Sequence, residues 1–218
     1  MYHKNSDLAN RNPGKMGLEV MTRSSKLFRC CFLDRDGVVN REVDYLFEPD
    51  RTVLEEHIVP ALRSIHRHGF LAVVVTNQSG VARGMYGEPD VHAVHAKIQE
   101  LLSVYGEKID AFYYCPHHPE ITGECDCRKP LGGMLRRAAE ELGIDLAQSL
   151  MIGDRISDVK AGLAAGCARS YLVRTGYGPT TLRESDCSAM TVADNALAAF
   201  EDFLNAGTNG ASGRSKQP

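Results

Sequence analysis

Two aspartates separated by one residue, Asp34 and Asp36 in Leu33-Asp34-Arg35-Asp36-Gly37, are the first side chains along the chain whose spacing suggests chemistry. Two carboxylates ~4 Å apart repel by about 4 kcal/mol at a surface-like dielectric, a cost that a divalent cation removes. Carboxylate and carbonyl oxygens with few other ligands suit Mg²⁺, which fills the rest of its shell with waters or phosphate oxygens. A third carboxylate, Asp154, stands in Gly153-Asp154-Arg155-Ile156-Ser157-Asp158, where Asp158 is placed to cap or charge the start of a helix. Thr76-Asn77-Gln78-Ser79-Gly80 offers small donors and a glycine that lets the backbone approach an anion. Lys129 follows in Cys127-Arg128-Lys129-Pro130. Singly, each segment also fits a solvated turn or surface loop.

A second constellation is metal-binding by composition. Cys115-Pro116-His117-His118-Pro119 and Cys125-Asp126-Cys127 give the pattern Cys-x-His-x₇-Cys-x-Cys, four ligands within thirteen residues. Cys115, His117, Cys125 and Cys127 make a complete tetrahedral set for Zn²⁺ with no open position, so the expected role is structural. His118 is the reserve ligand. Cys30, Cys31, Cys167 and Cys187 sit in apolar or isolated contexts and read as core or unremarkable thiols.

These residues need a scaffold. Apolar, β-rich runs predict strands at residues 28–33, 70–76, 109–114, 149–152 and 169–173, and helical patterns fill 59–68, 90–105, 133–142 and 157–165. Strand–helix alternation with near-continuous apolar strands predicts a single α/β, Rossmann-like parallel sheet with helices on both faces. In such sheets ligands sit beyond the carboxyl ends of the strands, where Asp34, Thr76 and Asp154 fall. The expected domain spans residues 26–206, with a polar N-terminal tail over 1–25 and a flexible C-terminal tail over 207–218. No second core is apparent, so no large cap domain is expected; the segment 42–49 and the zinc loop should shield the site.

Bulk properties narrow the partners. The 218 residues carry 25 basic and 28 acidic side chains, a formal charge of −3, which gives no electrostatic reason for a nucleic-acid or membrane-surface partner. Apolar runs are too short to span a bilayer, and the first residues lack the apolar core of a secretory signal. Seven cysteines without such a signal fit a reducing compartment, so the expected location is the cytoplasm. The sequence does not set the oligomeric state, and a monomer is compatible with it.

Asp-x-Asp, then Thr, then Lys, then Gly-Asp-x-x-x-Asp, in that order, resembles the haloacid dehalogenase superfamily of phosphotransferases over roughly residues 28–173. The resemblance implies a phosphomonoester hydrolase working through an aspartyl-phosphate. Asp34 would be the nucleophile and Asp36 the general acid and then base. Thr76 and Lys129 would hold the phosphoryl group. The Asp34 carboxylate, the Asp36 carbonyl and Asp154 would bind Mg²⁺. Such chemistry is sound, because a fixed in-line carboxylate splits hydrolysis into two easier transfers. Mg²⁺ and Lys129 would offset the charge spread over the phosphoryl oxygens.

The zinc cluster running into Arg128-Lys129-Pro130 narrows the resemblance to the histidinol-phosphate and heptose-bisphosphate phosphatase subfamily. Within it, the segment from Thr76 to Gly84 and Cys115-Pro116-His117-His118-Pro119 look like the heptose-bisphosphate branch. That implies a small phosphorylated sugar as substrate, with the C7 phosphate of a heptose 1,7-bisphosphate removed on the way to lipopolysaccharide or related surface glycans. It also implies substrate contacts from Glu42, Val43, Asp44, Tyr45, Thr76, Asn77, Gln78, Ser79, Arg128, Lys129 and Arg155. Arg155 stands where the family often has Lys, and a guanidinium can bind phosphate in a bidentate way that an ammonium cannot. Two alternatives stay open. A histidinol-phosphate phosphatase would share the nucleophile and both metals, and a non-catalytic zinc-stabilised binding module would have no need of the Asp34, Asp36, Lys129 and Asp154 set.

Overall fold

Cys31 and Leu33 point to one side of the first strand, Cys30 and Phe32 to the other, and all four are fully buried. A strand apolar on both faces needs cover on both. The computed structural model, which describes residues 27–211, supplies it. Six strands, β1 (Arg29–Leu33), β2 (Phe70–Asn77), β3 (Ala111–Cys115), β4 (Leu150–Gly153), β5 (Arg169–Val173) and β6 (Thr191–Ala193), form one sheet in the order β3-β2-β1-β4-β5-β6. Every pairing is parallel. The helices are α1 (Ile58–Arg67), α2 (Glu88–Ser103), α3 (Pro119–Thr122), α4 (Gly133–Leu142), α5 (Ile156–Ala165), α6 (Gly178–Glu184) and α7 (Ala196–Ala211).

Apolar residues of α1, α2 and α7, among them Leu62, Ile65, Ile98 and Phe200, pack against Leu33, Val74 and Ile152 on one face. On the other face Met134, Leu135 and Ala138 of α4 and Ala161 of α5 cover Phe32, Val73 and Met151. The Phe70 and Phe200 rings meet edge to face at 5.2 Å and fasten α7 to the sheet. The expected α/β architecture is therefore present, and each of the five predicted strands and four predicted helices is found within a few residues. β6, α3, α6 and α7 are additional.

α7 runs through Ala211, five residues into the stretch expected to be a C-terminal tail. Apolar side chains at 196, 199, 200, 203 and 204 commit this helix to the core, and extending a formed helix costs little. The expected N-terminal tail, residues 1–25, and residues 212–218 lie outside the described residues. The β1–β2 and β2–β3 connections carry α1 and α2 and no cap domain is evident among the described residues. No described helix is long and apolar enough to cross a membrane.

Strand order reverses direction between β1 and β4. Their carboxyl ends therefore open into the crevice where connections diverge to opposite sides of the sheet, the usual ligand position in an open parallel sheet. Asp34 follows β1 directly and Asp154 follows β4 directly.

Candidate active site

Asp34 is 8% exposed, and its Oδ1 accepts the Arg35 backbone N–H at 2.7 Å. Lys129, from the loop preceding α4, reaches the same oxygen. Its Nζ lies 2.8 Å from Asp34 Oδ1, 2.6 Å from Asp158 Oδ1 and 2.8 Å from the Val75 carbonyl oxygen. Burial alone would drive the lysine towards neutrality, but Asp158 and Asp34 outweigh it and hold the ammonium above its ordinary pKa. Asn77 fixes the backbone that carries this lysine. Its Nδ2 donates to the Lys129 carbonyl at 3.0 Å and its Oδ1 accepts the Lys129 N–H at 3.0 Å. Asn77 lines the cleft, yet its amide is committed to positioning Lys129.

Asp158 does more than the helix start requires. Its Oδ2 accepts the Arg155 N–H at 2.9 Å, which caps α5, while Oδ1 pairs with Lys129. Asp154 is wholly buried; its Oδ2 accepts the Tyr177 N–H at 2.7 Å and its Oδ1 has no partner. Space for it depends on two glycines in the left-handed region. A Cβ on Gly37 (φ +81°) would lie 2.2 Å from Asp154 Oδ2, and one on Gly176 (φ +52°) 2.3 Å from it.

Carboxylate oxygens of Asp34, Asp154 and Asp158 lie within 4.8 Å of one another. Burial, with Asp158 next, raises the Asp34 pKa to about 7 against the pull of Lys129. Burial, then Asp34 and Asp158, raises that of Asp154 to about 8. Glu42, also in the cleft, is raised to about 7 by burial and by Asp36. One lysine does not neutralise so many buried acids, and the free Asp154 Oδ1 has no proton donor to turn to. A divalent cation fits both facts, because its charge reverses the local pKa balance. Both Asp158 oxygens are engaged, which leaves Asp34 and Asp154 as the carboxylates with capacity for such an ion.

Asp36 is turned away from that carboxylate group. The Arg35 guanidinium forks it through Nε at 3.1 Å and a terminal nitrogen at 2.9 Å. Asn40 Nδ2 donates to its Oδ1 at 2.9 Å and Gln78 Nε2 to its Oδ2 at 3.1 Å. Thr76 is buried and its Oγ1 accepts a bond from Gln78 Nε2 at 2.9 Å. Gly80, expected to admit an anion to the backbone, serves a different neighbour: a Cβ there would lie 2.1 Å from the Tyr86 ring.

A cleft of about 460 Å³ opens above these residues. Glu42, Val43, Asp44, Tyr45, Thr76, Asn77, Gln78, Ser79, Arg128, Lys129 and Arg155 all line it. All the sequence-predicted contact residues are thus brought together, and Arg83, Tyr86 and Tyr177 join them. Arg155 stacks on the Tyr177 ring at 3.7 Å, and the Tyr177 hydroxyl donates to Asp44. Arg128 donates to the His117 carbonyl at 3.0 Å, which ties the cleft wall to the cysteine loop. Asp158 caps α5 as expected, but its pairing with Lys129, and the roles of Arg35, Asn40 and Tyr86, escaped the sequence reading. Only Asp158, in its Gly-Asp-x-x-x-Asp spacing, carried a local signal.

In that loop the Cys115, His117, Cys125 and Cys127 donor atoms gather within 4.8 Å of one another. The three sulfurs are 3.1, 3.4 and 3.6 Å apart, and His117 Nδ1 lies 3.4 Å from Cys127 Sγ. A tetrahedral ion with Zn–S bonds of ~2.3 Å separates its ligands by about 3.8 Å, so the set could hold zinc after shifts of a few tenths of an ångström. Burial and neighbouring thiols push the Cys127 thiol well up, a repulsion that a bound cation would reverse. His118 is not in the cluster; its Nε2 meets Arg83 at 2.9 Å and its backbone begins α3.

Comparison with known proteins is consistent with this geometry. A family described as HAD-hyrolase-like matches residues 126–199. The D-glycero-beta-D-manno-heptose-1,7-bisphosphate 7-phosphatase of Yersinia pestis is 45% identical over 159 residues, 71% of this chain and 85% of its own. The Haemophilus influenzae enzyme of the same name is 43% identical over 68% of this chain and 83% of its own. The chain belongs to this phosphatase family. A crystal structure of D,D-heptose 1,7-bisphosphate phosphatase from B. bronchiseptica, complexed with magnesium and phosphate, superposes with a TM-score of 0.74 at 35% identity, over 82% of this chain and 99% of that one. A family member from Burkholderia thailandensis gives 0.60 at 31% identity, over 81% and 98%. The resemblance drawn from the Asp, Thr, Lys and Asp motifs and from the cysteine loop is borne out at the level of the family.

Proposed function

We propose that this protein is a Mg²⁺-dependent phosphatase that removes the C7 phosphate of D-glycero-D-manno-heptose 1,7-bisphosphate through an aspartyl-phosphate on Asp34. The observation that carries the reading is the buried Asp34–Lys129–Asp158 trio beside an Asp154 oxygen with no partner, at the reversal point of the sheet. Mg²⁺ bound by the Asp34 and Asp154 carboxylates and the Asp36 carbonyl would neutralise charge on the phosphoryl oxygens and on the nucleophile.

The chain's own groups account for the remaining steps. Lys129 and the Thr76 hydroxyl grip the phosphoryl group, and Asp34 attacks phosphorus. Asp36, oriented by three side chains, gives a proton to the departing C7 oxygen and later takes one from the water that releases phosphate. A bisphosphate brings a second dianion that must be held away from the reacting one, and Arg83, Arg128 and Arg155 in the cleft wall are the cations available. Zinc on Cys115, His117, Cys125 and Cys127 would fix the loop from which Arg128 hangs. Thiol ligands of this kind persist in a reducing compartment, so we place the protein in the cytoplasm.

The test is a comparison of kcat/KM for heptose 1,7-bisphosphate, histidinol phosphate and simple sugar phosphates. The expected outcome is a clear lead for the heptose at C7. Histidinol phosphate brings an ammonium that the wall arginines repel, and if it proves the better substrate the heptose reading fails.

A further inference from the structure

Gln78 is buried, and both N–H groups and the oxygen of its amide are engaged inside the protein. One N–H goes to Thr76 Oγ1 at 2.9 Å and the other to Asp36 Oδ2 at 3.1 Å, while Oε1 accepts the Tyr86 hydroxyl at 2.8 Å. Arg35 and Asn40, the other two groups on Asp36, belong to its own loop. Gln78 is therefore the side chain that joins Asp36 to the carboxyl end of β2, where Thr76 sits. Tyr86 is itself held in place, its hydroxyl end against Gly80 and its ring stacked on Phe47 with centroids 5.6 Å apart.

We infer that Tyr86 and Gln78 form a positioning pair that sets the proton-transfer carboxylate and the phosphate-binding hydroxyl relative to each other. The inference rests on the reading above, in which Asp36 protonates the leaving oxygen. Asp36, a carboxylate that only accepts, fixes which way the amide faces, and the Tyr86 hydroxyl, donating to Oε1, holds the side chain there. With Oε1 turned to Tyr86, both N–H groups point at Thr76 and Asp36; turned over, the amide oxygen would face a carboxylate. The bond to Thr76 has a second effect. Because Oγ1 already accepts from Gln78, the Thr76 O–H is left to donate into the cleft, towards a phosphoryl oxygen. Tyr86 touches no reacting atom in this scheme and acts through Gln78.

A positioning role for the acid has a signature that loss of general rigidity lacks. An alkyl ester needs its leaving oxygen protonated, whereas 4-nitrophenyl phosphate expels a stable phenolate without help. The constant kcat/KM covers the steps through alcohol departure. Tyr86→Phe should lower kcat/KM for heptose 1,7-bisphosphate by roughly tenfold, part of the ~10²–10⁴ that a general acid supplies. For 4-nitrophenyl phosphate the loss should stay near twofold. Gln78→Met should show the same selectivity more strongly, and the double variant should be no worse than Gln78→Met alone, because both changes cut one relay. Thermal melts of each variant confirm that folded protein is compared.

Asp36→Asn run alongside separates the two claims. If it penalises the alkyl ester selectively and Tyr86→Phe affects both esters equally or neither, the positioning pair is refuted while the acid role stands. If Asp36→Asn is itself unselective, the acid role and the positioning pair fall together.

Discussion

Replacing Lys129 by Met removes the cation that contacts the buried carboxylates of Asp34 and Asp158. Asp34 and Asp158 oxygens lie within 4.8 Å of each other, where an effective dielectric of 20 gives a repulsion of at least about 3.5 kcal/mol. Breaking a buried ion pair by removing one partner generally costs about 3–5 kcal/mol, so the two estimates agree. The variant should therefore lose ~3–5 kcal/mol of stability at pH 7 in EDTA, which for a domain of this size is a fall in Tm of roughly 10 °C. Lys108, whose side chain is 67% exposed beside Asp110, is the control, and Lys108→Met should cost less than about 1 kcal/mol. Added Mg²⁺ should raise the Tm of Lys129→Met by more than that of the unmodified protein, because the ion supplies charge that the variant lacks. Urea titrations and thermal melts with and without Mg²⁺ measure all three quantities. A Lys129→Met Tm within about 2 °C of the parent in EDTA would show that the lysine does not neutralise the site, and the electrostatic reasoning would fail.

Other expectations are simpler to check. Asp34→Asn should abolish phosphate release while leaving the thermal melt cooperative; near-normal turnover would eliminate Asp34 as nucleophile. Chelation should stop turnover and Mg²⁺ alone restore it, with Ca²⁺ a poor substitute because its looser, higher coordination misplaces nucleophile and phosphate; full activity in Ca²⁺ would contradict this. Elemental analysis of protein purified without chelators should find about one Zn²⁺ per chain. Cys125→Ser should lower that content and weaken activity through Arg128, and zinc-free, fully stable wild-type protein would remove the site. His95 is buried and stacked on Phe112 at 4.4 Å, and burial, with Arg35 and His92, lowers its pKa to about 3. Between pH 6.5 and about 3 the unfolded chain binds a proton that the folded chain refuses, so stability falls as pH falls, by ~2 kcal/mol at pH 5. His95→Phe should flatten that slope in urea titrations at pH 7.5 and 5, and an unchanged slope would rule the residue out.

Sequence legibility followed the physics of each element. β1 and β5 are apolar runs buried on both faces, and their limits were readable within one residue. β6 is three residues, Thr191 exposed and the other two half-buried, that become a strand by pairing with β5, a signal absent from the local sequence. α7 was readable and went unread, since Ala196, Ala199, Phe200, Phe203 and Leu204 repeat at helical spacing. α2 begins at Glu88, before the expected start, with the Gly87 N–H held by Asp90 at 2.8 Å and a proline in the first turn. In the site, Asp34 and Asp154 were legible because they directly follow strands, and Lys129 because it completes the order of the motif. The fully buried Arg35 and the Asn40, Gln78 and Tyr86 contacts depend on which loops meet in space. No spacing along one segment encodes such a meeting.

Asp158 sharing Lys129 with Asp34 bears on product inhibition. In the proposed mechanism Asp34 becomes phosphorylated and gives up its share of the lysine, but Asp158, 2.6 Å away, keeps its own. The ammonium therefore never offers an unshared charge to free inorganic phosphate. Affinity that substrate and product enjoy equally adds nothing to the rate of the chemical step, and an unopposed buried lysine would spend it on retaining the product. On the proposed mechanism Asp158 would limit that grip and let the phosphate leave, so inorganic phosphate should be a weak competitive inhibitor in steady-state assays despite resembling the transferred group.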